Sequence, residues 1–158
     1  MENLLDQQPT SPLRSPVKVI DQPNSGVNGM AFDVKQLGDK PDAIAPDGSE
    51  VRLLCSLSRG SMAHFTLAPG AVSIAVAHRT IEEIWFFESG RGRMWRQLDG
   101  EEETVEVGRG SSISIPVGAH FQFRCDSSES LKAVGVAMPP WPGDDEAYTV
   151  DGPWTPSV

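Results

Sequence analysis

From Val51 to Met138 the chain alternates apolar runs of four to eight residues with breaks centred on glycine, and this rhythm leaves no room for a helix of ordinary length. The runs are Val51–Leu57, Met62–Leu67, Val72–His78, Glu83–Phe87, Met94–Leu98, Thr104–Val107, Ser112–Ile115, Phe121–Cys125 and Leu131–Met138. Between them stand Ser-Arg-Gly, Pro-Gly, Glu-Ser-Gly, Asp-Gly, Gly-Arg-Gly and Pro-Val-Gly. Glycine supplies the positive φ that tight turns need, and proline cannot continue a helix or a central strand. Short strands at this spacing predict an all-β sandwich or barrel. With 158 residues, the chain is long enough to bury one substantial core.

The rest of the chain has a different texture. Residues 1–16 are polar and broken by Pro and Ser, which predicts a flexible N-terminal arm. Residues 17–50 are rich in Asp, Gly and Pro and read as an extension with one short strand, around Met30–Val34. Residues 51–138 form the barrel. Residues 139–158 are acidic and broken by proline, yet carry Trp141 and Trp154, so a tail that packs on the barrel is expected.

Charge and cysteine usage bound the partners. Thirteen basic against 22 acidic residues give a formal net charge of −9, a field that repels phosphate backbones and anionic lipid surfaces. The densest basic group is Arg91, Arg93 and Arg96 around Trp95, which predicts a solvated, salt-bridged strand. Neither a nucleic-acid partner nor a membrane is expected. The two cysteines, Cys55 and Cys125, are 70 positions apart and match no metal or redox spacing, so both are read as reduced thiols. The start MENLLDQQP lacks a basic-then-apolar pattern, and the longest apolar stretch, Ala71–Ala77, is too short to span a bilayer. A cytoplasmic location is the expectation.

Two segments carry a sharper pattern. Gly70 is followed by five residues, then Val76-Ala77-His78, four residues, Glu83, six residues and Gly90. Downstream, Gly110 is followed by five residues, then Pro116, Gly118, Phe121 and Cys125 at spacings of two, three and four. In order and correctly separated, these two motifs resemble those of the cupin superfamily. That resemblance implies a jelly-roll barrel (a double-stranded β-helix) in a single domain. It also implies pairing of two copies through an outer sheet, which the two apolar faces of Glu83–Phe87 would suit. Cupins typically hold a divalent metal with three His and one Glu. Carried over by position, this chain keeps His78 and Glu83 and has Val76 and Phe121 where the other two ligands belong.

The reading favoured by these residues is a small-molecule-binding cupin working without a metal or other cofactor. His78 and Glu83 are its catalytic candidates, and Val76, Trp85, Phe121, Phe123 and Cys125 its ligand-pocket walls. Desolvation raises a carboxyl pKa and lowers that of an imidazole, so a buried Glu/His pair can exchange a proton with a substrate. Glu83 would be the base and His78 its orienter or the complementary acid, in isomerase, cyclase, dehydratase or lyase chemistry. A second reading is a metal-dependent enzyme, mannose-6-phosphate-isomerase-like or dioxygenase-like, in which His64 or His120 is recruited to a divalent transition metal. A third is a non-catalytic cupin that binds a ligand or only dimerises. Each residue also has a plainer role. His78 could donate to Glu83 in the core, and Glu83 could pair with Arg79, Arg52 or Arg124. His64 and His120 could be surface or rim residues, and Trp85, Phe121 and Phe123 could be simple packing.

Overall fold

Each of the nine apolar runs carries a strand. The computed structural model describes residues 32–158, of which 33–158 form one compact unit. The strands are β1 (Ala43–Ile44), β2 (Glu50–Leu57), β3 (Gly60–Leu67), β4 (Val76–His78), β5 (Glu82–Ser89) and β6 (Arg91–Leu98). They continue with β7 (Glu101–Gly108), β8 (Ser112–Ile115), β9 (His120–Cys125), β10 (Leu131–Met138) and β11 (Ala147–Thr149). One 3-10 turn, Asp144–Glu146, precedes β11, and the described residues contain no α-helix. The expected arm, 1–16, lies outside the described residues, as do Met30 and Ala31. Phe32–Val34 forms no strand, and the strand of the extension is β1 instead.

Two antiparallel sheets face each other as a jelly-roll barrel, one ordered β1-β2-β3-β10-β5-β8 and the other β11-β4-β9-β6-β7. Alternation decides what each strand buries. On β5, Glu83, Trp85 and Phe87 point inward, while Glu82, Ile84, Phe86 and Glu88 point outward. Within this chain one face of the strand is covered, and Ile84 and Phe86 are about half exposed on the other. At the β5–β6 turn Gly90 has φ 75°, and a Cβ there would sit 2.5 Å from the Ser130 carbonyl, so only glycine fits.

The inward faces divide the barrel lengthwise. Toward one end, Leu67, Phe87, Met94, Phe123, Cys125 and Leu131 close into solid core. Toward the other, the same strands carry Ala63, Phe65, Glu83, Trp85, Phe121 and Ala137 around a cavity. Residues after β10 run back across the barrel, and β11 extends the second sheet by pairing with β4. The buried Gln122 amide ties this segment down: Nε2 donates to the Ser73 and Trp154 carbonyls, both at 2.8 Å, and Oε1 accepts from the Trp154 N–H.

Candidate active site in the barrel cavity

The site is built on β5. Glu83 sits between Ala137 of β10 and Ile115 of β8, so its immediate sheet neighbours are hydrocarbon. Two residues on, Trp85 lies beside Gly135, where a Cβ would come within 2.9 Å of the indole Nε1 and 2.8 Å of Phe65 Cε2. The missing side chain lets Trp85 and Phe65 stack flat, with centroids 4.6 Å apart and ring planes at 10°. In that position the Trp85 indole N–H donates to Glu83 Oε2 at 2.9 Å. Glu83 is thus buried, held by one neutral donor and paired with no cation. Arg52, Arg79 and Arg124 do not reach it; their partners are Glu50, the Asp145 carbonyl and Asp126.

His78 ends β4 on the opposite sheet. Its ring meets Phe121 and Trp141 edge-on at 5.2 and 5.6 Å, and its Nδ1 lies 3.9 Å from Glu83 Oε2. That distance is too long for a hydrogen bond, and Nδ1 has no hydrogen-bond partner. Burial lowers the His78 pKa to about 4, against a smaller upward pull from Glu146. Burial also raises Glu83 to about 7; the Trp85 bond opposes that rise and the field of Asp47 adds to it. At neutral pH the pair is therefore a neutral imidazole beside a carboxyl balanced between its two forms, and not an ion pair. A pKa near 4 leaves the His78 ring neutral at neutral pH, with Nδ1 open to a partner in the cavity.

The cavity has a volume of about 420 Å³ and predominantly apolar walls. Val76, Trp85 and Phe121 line it as expected, together with His78 and Glu83. Phe123 and Cys125 do not. They point inward on β9 but lie deeper, where Phe123 packs edge-on against Trp85 and the Cys125 thiol faces the Glu129 carbonyl at 3.2 Å. Sequence reasoning missed Asp47, Phe65 and Trp141 as wall residues. Asp47 reads as an ordinary turn residue because its Oδ1 accepts from the Ser49 N–H at 2.8 Å and the Ser49 hydroxyl at 2.6 Å. Its carboxyl is nevertheless buried against the cavity, which pushes its pKa up against the effect of those bonds. Trp141 arrives on the segment after β10, pinned where its N–H donates to the Ser61 hydroxyl at 2.9 Å. Glu146 anchors the same segment by accepting from the Thr80 and Ile81 N–H groups and the Thr80 hydroxyl. Burial works to raise the Glu146 pKa, but those bonds and the nearby His78 outweigh it and hold it below the usual carboxylate value.

The donor set does not suit the metal typical of this fold. Val76 and Phe121 put hydrocarbon where two imidazoles would be required, leaving one imidazole and one carboxyl that is itself bonded to an indole N–H. His64, on β3, faces away from the cavity and pairs through Nε2 with Glu88 at 3.1 Å. His120 faces outward from β9, where its register partners are Ala77 and Gln97. Among the described residues no group of three or more His, Cys, Asp or Glu is placed to hold a metal ion.

Comparison with known proteins agrees with this architecture. Residues 63–137 match the family model for the cupin domain, and no curated protein matches the sequence. Among solved structures, a Bacillus halodurans protein, BH2720, superposes with a TM-score of 0.54 at 20% identity, over 63% of this chain and 74% of that one. The coconut allergen cocosin gives 0.61 at 22% identity, over 75% of this chain and 33% of its own. Oxalate decarboxylase from Bacillus subtilis gives 0.58 at 19%, over 68% and 29%. The chain thus spans about a third of the length of the last two, and at these identities the likeness is one of fold. The two-sheet barrel, the spacing of Gly70, His78, Glu83, Gly90, Gly110, Pro116 and Gly118, and the match over residues 63–137 together give this chain the fold of the cupin domain.

Proposed function

We propose that this chain binds a small molecule inside its barrel and acts on it by metal-independent acid/base chemistry, with Glu83 giving or taking the proton and His78 Nδ1 accepting a hydrogen bond from the substrate. One observation carries the reading: a buried carboxyl with a pKa of about 7 faces an unpartnered neutral imidazole across 3.9 Å, inside a cavity large enough for a ligand. Unpaired buried polar groups are costly, and this pair faces a cavity in which a ligand can supply the missing partners. The Trp85 indole N–H steadies the ionised form of Glu83, and the stacked Phe65/Trp85 wall excludes water. Reactions within reach of such a pair shift a proton without redox change: isomerisation, cyclisation, dehydration or elimination. Two free cysteines suit a reducing compartment, and a cytoplasmic location is part of the proposal; no helix among the described residues is long and apolar enough to cross a membrane.

The test is a compound screen by thermal shift, followed by turnover assays on the ligands it finds. Glu83→Gln should slow turnover at saturating ligand by about 100-fold or more, the usual contribution of a positioned acid/base group. Unchanged turnover in that variant would sink the reading.

A further inference from the structure

The cavity carries a charge imbalance that proton transfer alone leaves unexplained. Its ionisable lining residues besides His78 are the acids Asp47, Glu83 and Asp144 and the single base Lys35. Lys35 and Asp144 are both exposed and offset one another in sign. The inner pair, Asp47 from the β1–β2 turn and Glu83 from β5, is buried, and the negative charge of Asp47 acts on Glu83. Among the described residues no lysine or arginine forms an ion pair with either. Burial without a counter-charge favours the protonated forms of these carboxyls, and a cation entering the cavity would supply the missing counter-charge.

His78 shows where that cation would sit. The side chain is 4% exposed and its Nδ1 has no partner, while Glu83 Oε2 stands 3.9 Å away. A nitrogen carrying two or more hydrogens can lie about 2.9 Å from both atoms at once and donate to each. With Glu83 ionised and the His78 hydrogen on Nε2, an anion would meet acceptors only, and a neutral alcohol has one proton to donate to two acceptors. Around this point the Phe65/Trp85 stack, Phe121 and Trp141 offer aromatic surface, which suits an apolar body and also favours positive charge nearby.

We propose that the cavity takes an organic cation: a primary ammonium group on an apolar or aromatic body, bridging Glu83 Oε2 and His78 Nδ1. This assignment rests on the reading that a small molecule occupies the barrel, and it names the chemical class. Binding draws Glu83 into its ionised form, so the complex releases a proton and affinity rises as pH passes through about 7. Asp47 adds attraction from the turn, the charge of Glu146 also acts on His78, and the Trp85 N–H helps hold the Glu83 charge.

Isothermal titration of the full chain with phenethylamine, phenethyl alcohol and phenylacetate separates the classes, because the three share one body and differ in charge. At about pH 8 the amine should bind about ten-fold or more tightly than the alcohol, the acid should not bind measurably, and the margin should shrink at about pH 6. Glu83→Gln should abolish the margin; the pH dependence of the unaltered protein tests the same point without a variant. Equal binding of alcohol and amine, or tighter binding of the acid, overturns the cation assignment while leaving the small-molecule reading standing. Failure of all three to bind also overturns it, whereas the library screen tests the broader reading independently.

Discussion

Glu83 and His78 respond to burial in opposite directions, and their contributions to stability run against each other with pH. The folded protein holds a proton on Glu83 that the unfolded chain begins to release above its ordinary pKa of 4.5. The stability linked to that proton is full below 4.5 and is lost as pH rises through about 7, in total on the order of 3 kcal/mol. His78, lowered from 6.5 to about 4, does the reverse: its contribution is full above 6.5 and lost as pH falls through about 4. The two slopes nearly cancel, so the pair leaves the whole almost level between those limits. Glu83→Gln removes one slope and unmasks the other. Urea melts at about pH 5 and about pH 8 should show the variant gaining on the unaltered protein at the higher pH, by up to about 3 kcal/mol. An equal difference at both pH values would mean that Glu83 is not held protonated. Both residues were legible from the spacing of the first motif, which alternation could not have supplied, since they lie five positions apart on strands of opposite sheets. Asp47 was not, since its Ser49 contacts are those of any surface Asx turn and its burial comes from chain that folds over it.

At the scale of the element, the stack on β5 depends on a vacancy in β10. Gly135 leaves the space that Trp85 and Phe65 fill, and a methyl group there would meet both rings inside 3.0 Å. Gly135→Ala should cost about 1–3 kcal/mol from overpacking, read as a lower urea midpoint. It should also move the indole off Glu83 and raise that carboxyl's pKa further, which a shifted pH profile of tryptophan fluorescence would report. A variant as stable as the parent would show that the rings can slide away cheaply. The strands themselves were legible, since nine apolar runs map onto nine strands and the glycine breaks onto turns. Depth along a strand was not. Alternation puts Phe121, Phe123 and Cys125 on one face of β9, but only their partners on neighbouring strands decide that Phe121 meets the cavity while the other two enter the core. Trp141 escaped for a related reason: proline-broken chain has no periodicity from which to read a direction.

At the scale of the whole molecule, the outer face of the first sheet places Ile84 and Phe86 beside Met62, Val134 and Val136, and polar residues flank this patch. At its margin Arg52 pairs with Glu50 and His64 bonds to Glu88, so some of the polar groups that two copies would bring together already have partners. A second copy is the occupant proposed for this face. Sedimentation should give a dimer for the parent and a monomer for Phe86→Glu, with the cavity's ligands still bound; a monomeric parent would remove the idea. The cavity is also assembled from two kinds of backbone. The floor that holds His78 and Glu83 belongs to strands locked by the sheets, whereas Lys35, Asp47, Trp141 and Asp144 stand on connecting chain. On the proposed function, reactivity and selectivity would be inherited separately, and a lineage, or a protein engineer, could exchange the rim to suit a new guest without retuning the carboxyl beneath it.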